Sequence, residues 1–348
     1  MRIAYLVASS DVSGGQRVIF QQAEALADLG SDITLVCPEP APTWFPLRKS
    51  RWEMSPFDES KALAGADIRV ATFWTTVAPA VRDFRGPVFH LCQGYEPDFS
   101  FYAPQRREIE LAYAKTTHKL AVSPHIAKRL KALGYAPVTY VGQTFNPQEF
   151  PPEKMRRFDQ TPTTILLVGI FEADVKGIRE ALEALAEVRR SGTTFRLHRV
   201  SMWPLSVEER SIFMPDKYHF RLTPSEMGEI YRRSDLLIGP SHPEEGFGLP
   251  VLEALSSGLP ALLSDTPGHR HIARAAAEYF PVGNTSAIAV SVARLLLDLS
   301  RRADFSAMGP VEAARFRTGD VADRLLTEFR RALDSCQLNL VQKAQEIF

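Results

Sequence analysis

The sequence predicts an α/β fold of two doubly wound, mostly parallel sheets. Three observations carry this expectation. Short apolar runs alternate with segments of helical periodicity along most of the 348 residues, which is the pattern of βαβ units. The alternation stops once, over residues 146–163, where Pro147, Pro151, Pro152 and Pro162 stand among charges, and then restarts. Finally, 45% hydrophobic and 24% charged content is that of an ordinary globular chain, and at ~150 residues per domain there is length for two cores.

Taken in order, Ile3–Val7 is the first apolar run. Gly14-Gly15 follow, then a helical stripe of Val18, Ile19, Ala23, Leu26 and Leu29 that Gly30 stops. Ile33–Val36, Ile68–Phe73, Val88–Leu91, Leu120–Val122 and Val138–Val141 read as further strands. After the proline-rich segment, Ile165–Val168 is a strand, and Ile178, Ala181, Leu182, Leu185 and Val188 share a helix face. Phe195–Val200, Leu236–Ile238 and Ala261–Leu263 continue the strands. Ile288, Val292, Leu295 and Leu299 predict one helix, and Val321, Leu325, Phe329 and Leu333 another, capped by Asp320. The expected division is a first domain over 1–150, a linker over 151–163, a second domain over 164–320 and a terminal helical segment, 321–348, placed to pack back on the first domain.

Forty-one basic residues balance forty-one acidic ones, which argues against a nucleic-acid-binding surface. Cys37, Cys92 and Cys336 are far apart, with no Cys-x-x-Cys or Cys/His pairing. They predict neither a disulfide framework nor a zinc site, and fit a reducing cytoplasm. No run of eighteen apolar residues occurs, and Ile3–Ala8 is shorter than a signal-peptide core, so no membrane span or leader is expected.

Open α/β sheets bind ligands beyond the carboxyl ends of their strands, so the residues just after strands carry the interest. The strongest constellation is Glu245-Gly-Phe-Gly-Leu-Pro-Val-Leu-Glu253. Gly246 and Gly248 allow close backbone approach, and Pro250 suits the first turn of a helix. A glycine-rich turn feeding a helix N-terminus is an anion site, and two carboxylates beside it are acceptors for sugar hydroxyls. The alternative is that Glu245 is only a dipole partner and Glu253 a solvated helix residue. Lys176-Gly177, between a strand and a helix, offers a cation to a departing diphosphate, or is merely a solvated lysine.

The longer string Pro240-Ser-His-Pro-Glu-Glu-Gly-Phe-Gly-Leu-Pro-Val-Leu-Glu-Ala-Leu-Ser-Ser-Gly-Leu-Pro-Ala261 resembles the signature of retaining family-4 glycosyltransferases of the GT-B fold, two glutamates with seven residues between them. Tyr5-Leu-Val, Ser13-Gly-Gly-Gln, Val141–Phe150 and Tyr279-Phe-Pro-Val-Gly-Asn284 resemble other parts of that family. The resemblance implies two Rossmann-like domains facing an interdomain cleft, an N-terminal acceptor side and a C-terminal nucleotide-sugar side. It implies that Glu245 contacts the donor sugar, Glu253 the ribose, the amides of Phe247, Gly248 and Leu249 the sugar and diphosphate, and Lys176 the leaving group. By the same resemblance Gly14 and Gly15 close over the donor phosphate, Arg221 opens a base-contacting loop, and Asp265-Thr-Pro-Gly-His269 lines the donor pocket or is a structural turn.

Two departures from the family stand out. Where an arginine usually follows the strand-ending glycine, Gly169 is followed by Ile170; Arg17, Arg199 and Arg221 are the candidates to replace it. Where many relatives have a histidine near the sugar's C6, Gln93 stands, while His90 lies earlier and reads as a satisfied core residue. The string Gln93-Gly-Tyr-Glu-Pro97 resembles, over a shorter match, bacterial surface-polysaccharide rhamnosyltransferases, whose 6-deoxy donor has no C6 hydroxyl. Glu96 then contacts acceptor hydroxyls or caps the next segment, and Gln16 and Arg17 are exposed candidates near the acceptor. Arg106, Arg107, Lys115, Lys119, Lys128, Arg129 and Lys131 form a basic face that touches anionic lipid or a phosphorylated acceptor, or is simply solvated.

The expected function is therefore a retaining glycosyltransferase. It moves a sugar from a nucleoside diphosphate, dTDP or UDP favoured, to a hydroxyl of a saccharide or lipid-linked acceptor in surface-glycan synthesis. No metal or other cofactor is expected, the location is cytoplasmic, and peripheral contact with the inner membrane is allowed. The competing readings on the same fold are a sugar-nucleotide epimerase, which releases a free altered sugar, a phosphorylase, which needs a pyridoxal-phosphate lysine, and a binding protein that does not turn the donor over.

Overall fold

The computed structural model describes residues 1–153 and 156–345, and the side chains up to Leu338 within the last helix. It divides into two units. The first comprises Met1–Pro97, Tyr102–Phe145 and the chain from Phe316 onward; the second comprises Asp98–Phe101 and Asn146–Arg315.

The first unit begins β1 (Arg2–Leu6), α1 (Gly14–Asp28), β2 (Asp32–Cys37), β3 (Arg51–Met54), α2 (Lys61–Gly65), β4 (Ile68–Ala71) and α3 (Trp74–Val81). It continues with β5 (Val88–Cys92), α4 (Arg106–Tyr113), β6 (His118–Ala121), α5 (Pro124–Ala132) and β7 (Val138–Tyr140). Its strands form one sheet in the order β3-β2-β1-β4-β5-β6-β7, with every pair parallel. Apolar side chains cover both faces of the central strands, as parallel sheets require. On one face Ala4, Leu6, Val36 and Ala71 pack against Leu63 of α2 and Val77 and Ala80 of α3. Further along, Cys92 and Ala121 pack against Ile109, Tyr113, Ile126 and Leu130. Ser13 starts α1 by accepting a hydrogen bond from the Gln16 amide.

The second unit contains β8 (Thr163–Val168), α6 (Ile178–Arg190), β9 (Phe195–Ser201), α7 (Val207–Ile212), β10 (Lys217–Phe220), α8 (Pro224–Arg233) and β11 (Leu236–Gly239). Then come α9 (Leu249–Ser256), β12 (Ala261–Ser264), α10 (Pro267–Ala273), β13 (Glu278–Phe280), α11 (Thr285–Leu297) and α12 (Leu299–Ala313). The strand order is β10-β9-β8-β11-β12-β13, again parallel throughout. The last helix, α13 (Thr318–Gln345), lies in the first unit and packs against α1.

In each sheet the chain first winds one way, then returns to the centre and winds the other way. The reversal falls between β1 and β4 and between β8 and β11. At such a switch point the loops after the two central strands diverge to opposite faces and leave a crevice. In the second unit these loops are 169–177 and 240–248.

Several expectations need correction. Leu299 does not extend α11: that helix ends at Leu297, and Asp298 caps a separate helix by accepting a hydrogen bond from the Arg301 amide at 2.9 Å. Asp320 lies within the first turn of α13 rather than at its cap. His90 is in the core but is not satisfied: among the described residues neither buried ring nitrogen has a hydrogen-bond partner. Burial, helped by the charge of Lys119, pushes its pKa down to about 3, so it stays a neutral ring against Tyr113. Lys119 is itself buried in β6 and drops out of the basic face. The proline-rich segment packs on the second unit, where Phe150 is buried and its carbonyl accepts from Ser256 Oγ at 2.9 Å.

Candidate active site at the switch point of the second sheet

The loop leaving β8 closes into one 3-10 turn, Asp174–Lys176, and enters α6 through Gly177. Gly177 has φ +60°, and a Cβ there would collide with the Pro240 carbonyl oxygen. Only glycine permits this approach, which brings the β8 loop onto the β11 loop. The contact is reinforced by the His242 amide, which donates to the Val175 carbonyl at 2.8 Å.

The side chains then meet across the crevice. Lys176 Nζ makes an ion pair with Glu245 Oε1, and Ser241 also hydrogen-bonds the Glu245 carboxylate. Burial pushes the Glu245 carboxyl up, but the charge and hydrogen bond of Lys176, the Ser241 hydrogen bond and nearby His269 outweigh it and hold the group below the usual carboxylate range. Glu245 is thus an anion, 13% exposed at its side chain, fixed beside a lysine.

Gly248, with φ +97°, is the N-cap of α9, and Leu249 and Pro250 start that helix. The first amides of a helix have no acceptor within it, and the dipole adds positive potential there. Beneath this turn lies His269, buried, with its Nδ1 3.0 Å from the Ser264 carbonyl oxygen. That acceptor takes the Nδ1 hydrogen, which leaves Nε2 to face Gly248. Ser264 Oγ donates in turn to the Ser241 carbonyl. Glu253, in the second turn of α9, is 4% exposed, and its Oε2 accepts from the Tyr231 hydroxyl at 2.8 Å.

Arg199 is no substitute for the residue missing at Ile170. It is fully buried, pairs with Glu209 at 2.7 Å, and donates to the carbonyls of Leu167, Val200 and Gly169. Arg17, expected at the surface, is buried in the first unit, 6% accessible. Arg221 is at the surface after β10, with φ +52° and its guanidinium over the Phe220 ring.

In the first unit, Gly14 and Gly15 open α1, and Gln93 Nε2 donates to the Gly15 carbonyl at 3.2 Å. The glycine turn and the loop after β5 are therefore joined at one sheet edge. Glu96 is not at the surface: its carboxylate accepts from the Tyr113 hydroxyl at 2.5 Å, and burial pushes its pKa up to about 7. Of the residues singled out in the second unit, the structure brings Lys176, Glu245, Gly246, Phe247, Gly248 and His269 together; Glu253 stands further along the same helix, and Arg221 lies beyond β9.

Sequence reasoning missed Ser241, Tyr231, and the pairing of His242 with Glu180. Ser241 and His242 are inside the quoted signature string; Ser241 meets Glu245 within that string, but the partner of His242 lies 62 residues away, and no spacing rule links that pair.

Residues 162–298 match the family model for Glycosyl transferases group 1. This segment runs from the start of β8 to the end of α11 and holds Lys176, Glu245, Glu253 and the loop between them. Among curated proteins, the serotype-specific mannosyltransferase WbdA of Escherichia coli is 32% identical over 139 residues, 37% of this chain and 17% of that protein. A D-inositol 3-phosphate glycosyltransferase of Nocardia farcinica is 31% identical over 131 residues, covering 37% of this chain and 28% of that enzyme. The matches thus span under a third of these relatives' lengths. Among solved structures, sucrose-phosphate synthase from Thermosynechococcus elongatus superimposes with a TM-score of 0.76 at 16% identity, covering 96% of this chain and 99% of that one. The architecture is the GT-B one, two Rossmann-like α/β domains. Anabaena HepE, solved with UDP-glucose, has a TM-score of 0.75 at 14% identity, covering 96% and 99%. Among the described residues no helix is long and apolar enough to cross a membrane.

Proposed function

We propose that this chain is a retaining glycosyltransferase that moves a sugar from a nucleoside diphosphate to a hydroxyl acceptor. One observation carries the reading: Lys176 and Glu245 form a single ion pair across the crevice between β8 and β11, beside the N-terminus of α9. With no ligand the two charges neutralise each other. A donor's diphosphate gives Lys176 a second anion to hold, and the Glu245 carboxylate then accepts from the sugar's hydroxyls. Main-chain N–H groups at Phe247, Gly248 and Leu249 cradle the diphosphate, and Glu253 takes the ribose hydroxyls.

In the reaction, the bond from the sugar's anomeric carbon to the diphosphate oxygen breaks as charge builds on that oxygen. Lys176 and the helix N-terminus stabilise this charge without reorganising. The acceptor oxygen bonds to the anomeric carbon on the face the diphosphate leaves, and the acceptor's proton passes to the departing phosphate oxygen, so configuration is retained. These positive groups supply the electrostatics, so the reading is metal-independent. A UDP- or dTDP-linked donor is favoured, HepE with UDP-glucose being the supporting comparison. A rhamnosyl donor rests on the Gln93-Gly-Tyr-Glu-Pro97 string, and a saccharide or lipid-linked acceptor in surface-glycan synthesis on the family resemblance; WbdA, a mannosyltransferase, supports the transfer class.

A thermal-shift panel of UDP-, dTDP-, GDP- and ADP-sugars tests the donor site. A ligand at 100 times its Kd stabilises the native chain by about 2.7 kcal/mol, so a UDP- or dTDP-linked donor should stand out, and the shift should vanish in Glu253→Ala. Transfer or donor hydrolysis should be lost in Glu245→Ala and Lys176→Ala. Equal shifts from all four donors, or wild-type turnover in both variants, would overturn the assignment.

A further inference from the structure

His242 lies on the loop that carries Glu245 and ties it to the loop that carries Lys176. Its amide donates to the Val175 carbonyl, next to Lys176, at 2.8 Å, and its carbonyl accepts from the Glu245 amide at 3.1 Å. Its ring is tied to a third point: Nε2 stands 2.9 Å from Oε1 of Glu180, in the first turn of α6. Neither side chain is deeply buried, at 30% and 26% exposed, so both protonation states of the ring are accessible.

From this geometry we infer that His242 is a positioning residue whose imidazolium, braced on Glu180, sets the Lys176 turn against the Glu245 loop and makes donor affinity depend on pH. The inference rests on the donor-site reading above. A neutral ring still donates one hydrogen bond to Glu180, but without charge. Charge-assisted hydrogen bonds are about twice as strong as neutral ones, so the brace weakens on deprotonation. The pair has a second consequence. Glu180 puts a negative charge near the start of α6, beside a crevice meant for an anion, and a protonated His242 offsets it.

The charged groups facing the ring are Glu180 on α6, Glu244 on its own loop and Asp174 on the Lys176 turn, all acidic. The hydrogen bond that the ring donates to Glu180 leads in raising His242 above the ordinary 6.5, against a smaller lowering from burial. A raised pKa means that the brace is complete below about pH 6.5 and is lost as pH rises through the higher value.

The test follows UDP affinity by calorimetry from pH 6 to pH 9 in the full chain, for wild type, His242→Gln and Glu180→Gln, with hydrogen exchange of amides 174–180 read on the ligand-free proteins. The glutamine side chain of His242→Gln donates a hydrogen bond but never charges, and the titration of UDP itself is common to all three proteins. Wild-type affinity should fall about fivefold more across this range than that of either variant, with the loss in KM rather than kcat once a donor is in hand. Protection of amides 174–180 should fall with rising pH in wild type only. Identical pH profiles for wild type and His242→Gln would overturn the inference. Should UDP and dTDP bind to none of the three while protection still follows pH in wild type alone, the brace stands and the donor reading falls.

Discussion

The Tyr231 hydroxyl donates to the Glu253 carboxylate at 2.8 Å, with both side chains in the interior. Tyr231 thereby sets which way the carboxylate that is proposed to hold the ribose points. A buried hydrogen bond to a charged acceptor is worth about 2 kcal/mol. Tyr231→Phe should lower the unfolding free energy by roughly that amount in urea melts and weaken UDP or dTDP binding severalfold in calorimetry. An unchanged nucleotide affinity would show that Tyr231 does not orient Glu253.

Gly177 is where the two site loops touch. A non-glycine residue at φ +60° costs about 1–2 kcal/mol by itself, and a Cβ pressed into the Pro240 oxygen forces the loops apart as well. Gly177→Ala should therefore lower the melting temperature and abolish the donor-induced shift together. A variant that melts early but keeps the full shift would show that the loop contact is structural only.

Arg199 and Glu209 form an interior ion pair under the β8–β9 edge. Removing one partner of such a pair leaves an uncompensated buried charge and costs roughly 3–5 kcal/mol, whereas replacing both by apolar residues is often near neutral. Arg199→Met alone should be strongly destabilised, and Arg199→Met/Glu209→Leu should recover most of the loss in denaturant melts. Equal losses in the single and double variants would count against the pair as the source.

Glu96 makes the first unit sensitive to pH. Its folded pKa of about 7 stands above the ordinary 4.5 because burial disfavours the anion. Between those values the folded chain binds more protons than the unfolded one, so stability falls as pH rises from about 4.5 to about 7 and levels off above. His90, held down to about 3, acts in the opposite sense, but it is present in both proteins when wild type is compared with Glu96→Gln. The difference between the two stability curves should decline by a few kcal/mol over this window. A flat difference would mean that Glu96 is ionised in the fold throughout.

Much of this was legible in the sequence where local pattern and tertiary role agree. The inner strands β1, β2, β5, β8 and β11 are mostly apolar runs because helices cover both faces, and the string from Pro240 to Ala261 announced the loop and helix of the site. The edge strands β3 and β10, Arg51–Met54 and Lys217–Phe220, are mixed and partly exposed, so they offer no apolar run to read. Helix α12 was invisible because Arg302, Gly309 and Pro310 interrupt its apolar face; Arg302 is buried there and donates to the Leu296 and Phe158 carbonyls. Glu96 and Arg199 look like surface chemistry by residue type, yet each has a buried partner on the next helix or the one after, Tyr113 and Glu209, 17 and 10 residues on. Charge alone does not tell which side of a sheet a residue faces.

In the proposed site the diphosphate of a nucleotide sugar sits on the turn that starts α9, between Lys176 and Glu253. The most direct measurement is a crystal structure of the chain with UDP or dTDP bound. Phosphate oxygens should lie on the amides of Phe247 to Leu249 and on Lys176, with ribose hydroxyls on Glu253. A nucleotide bound elsewhere, with Lys176 still paired to Glu245 and the turn unoccupied, would contradict this placement.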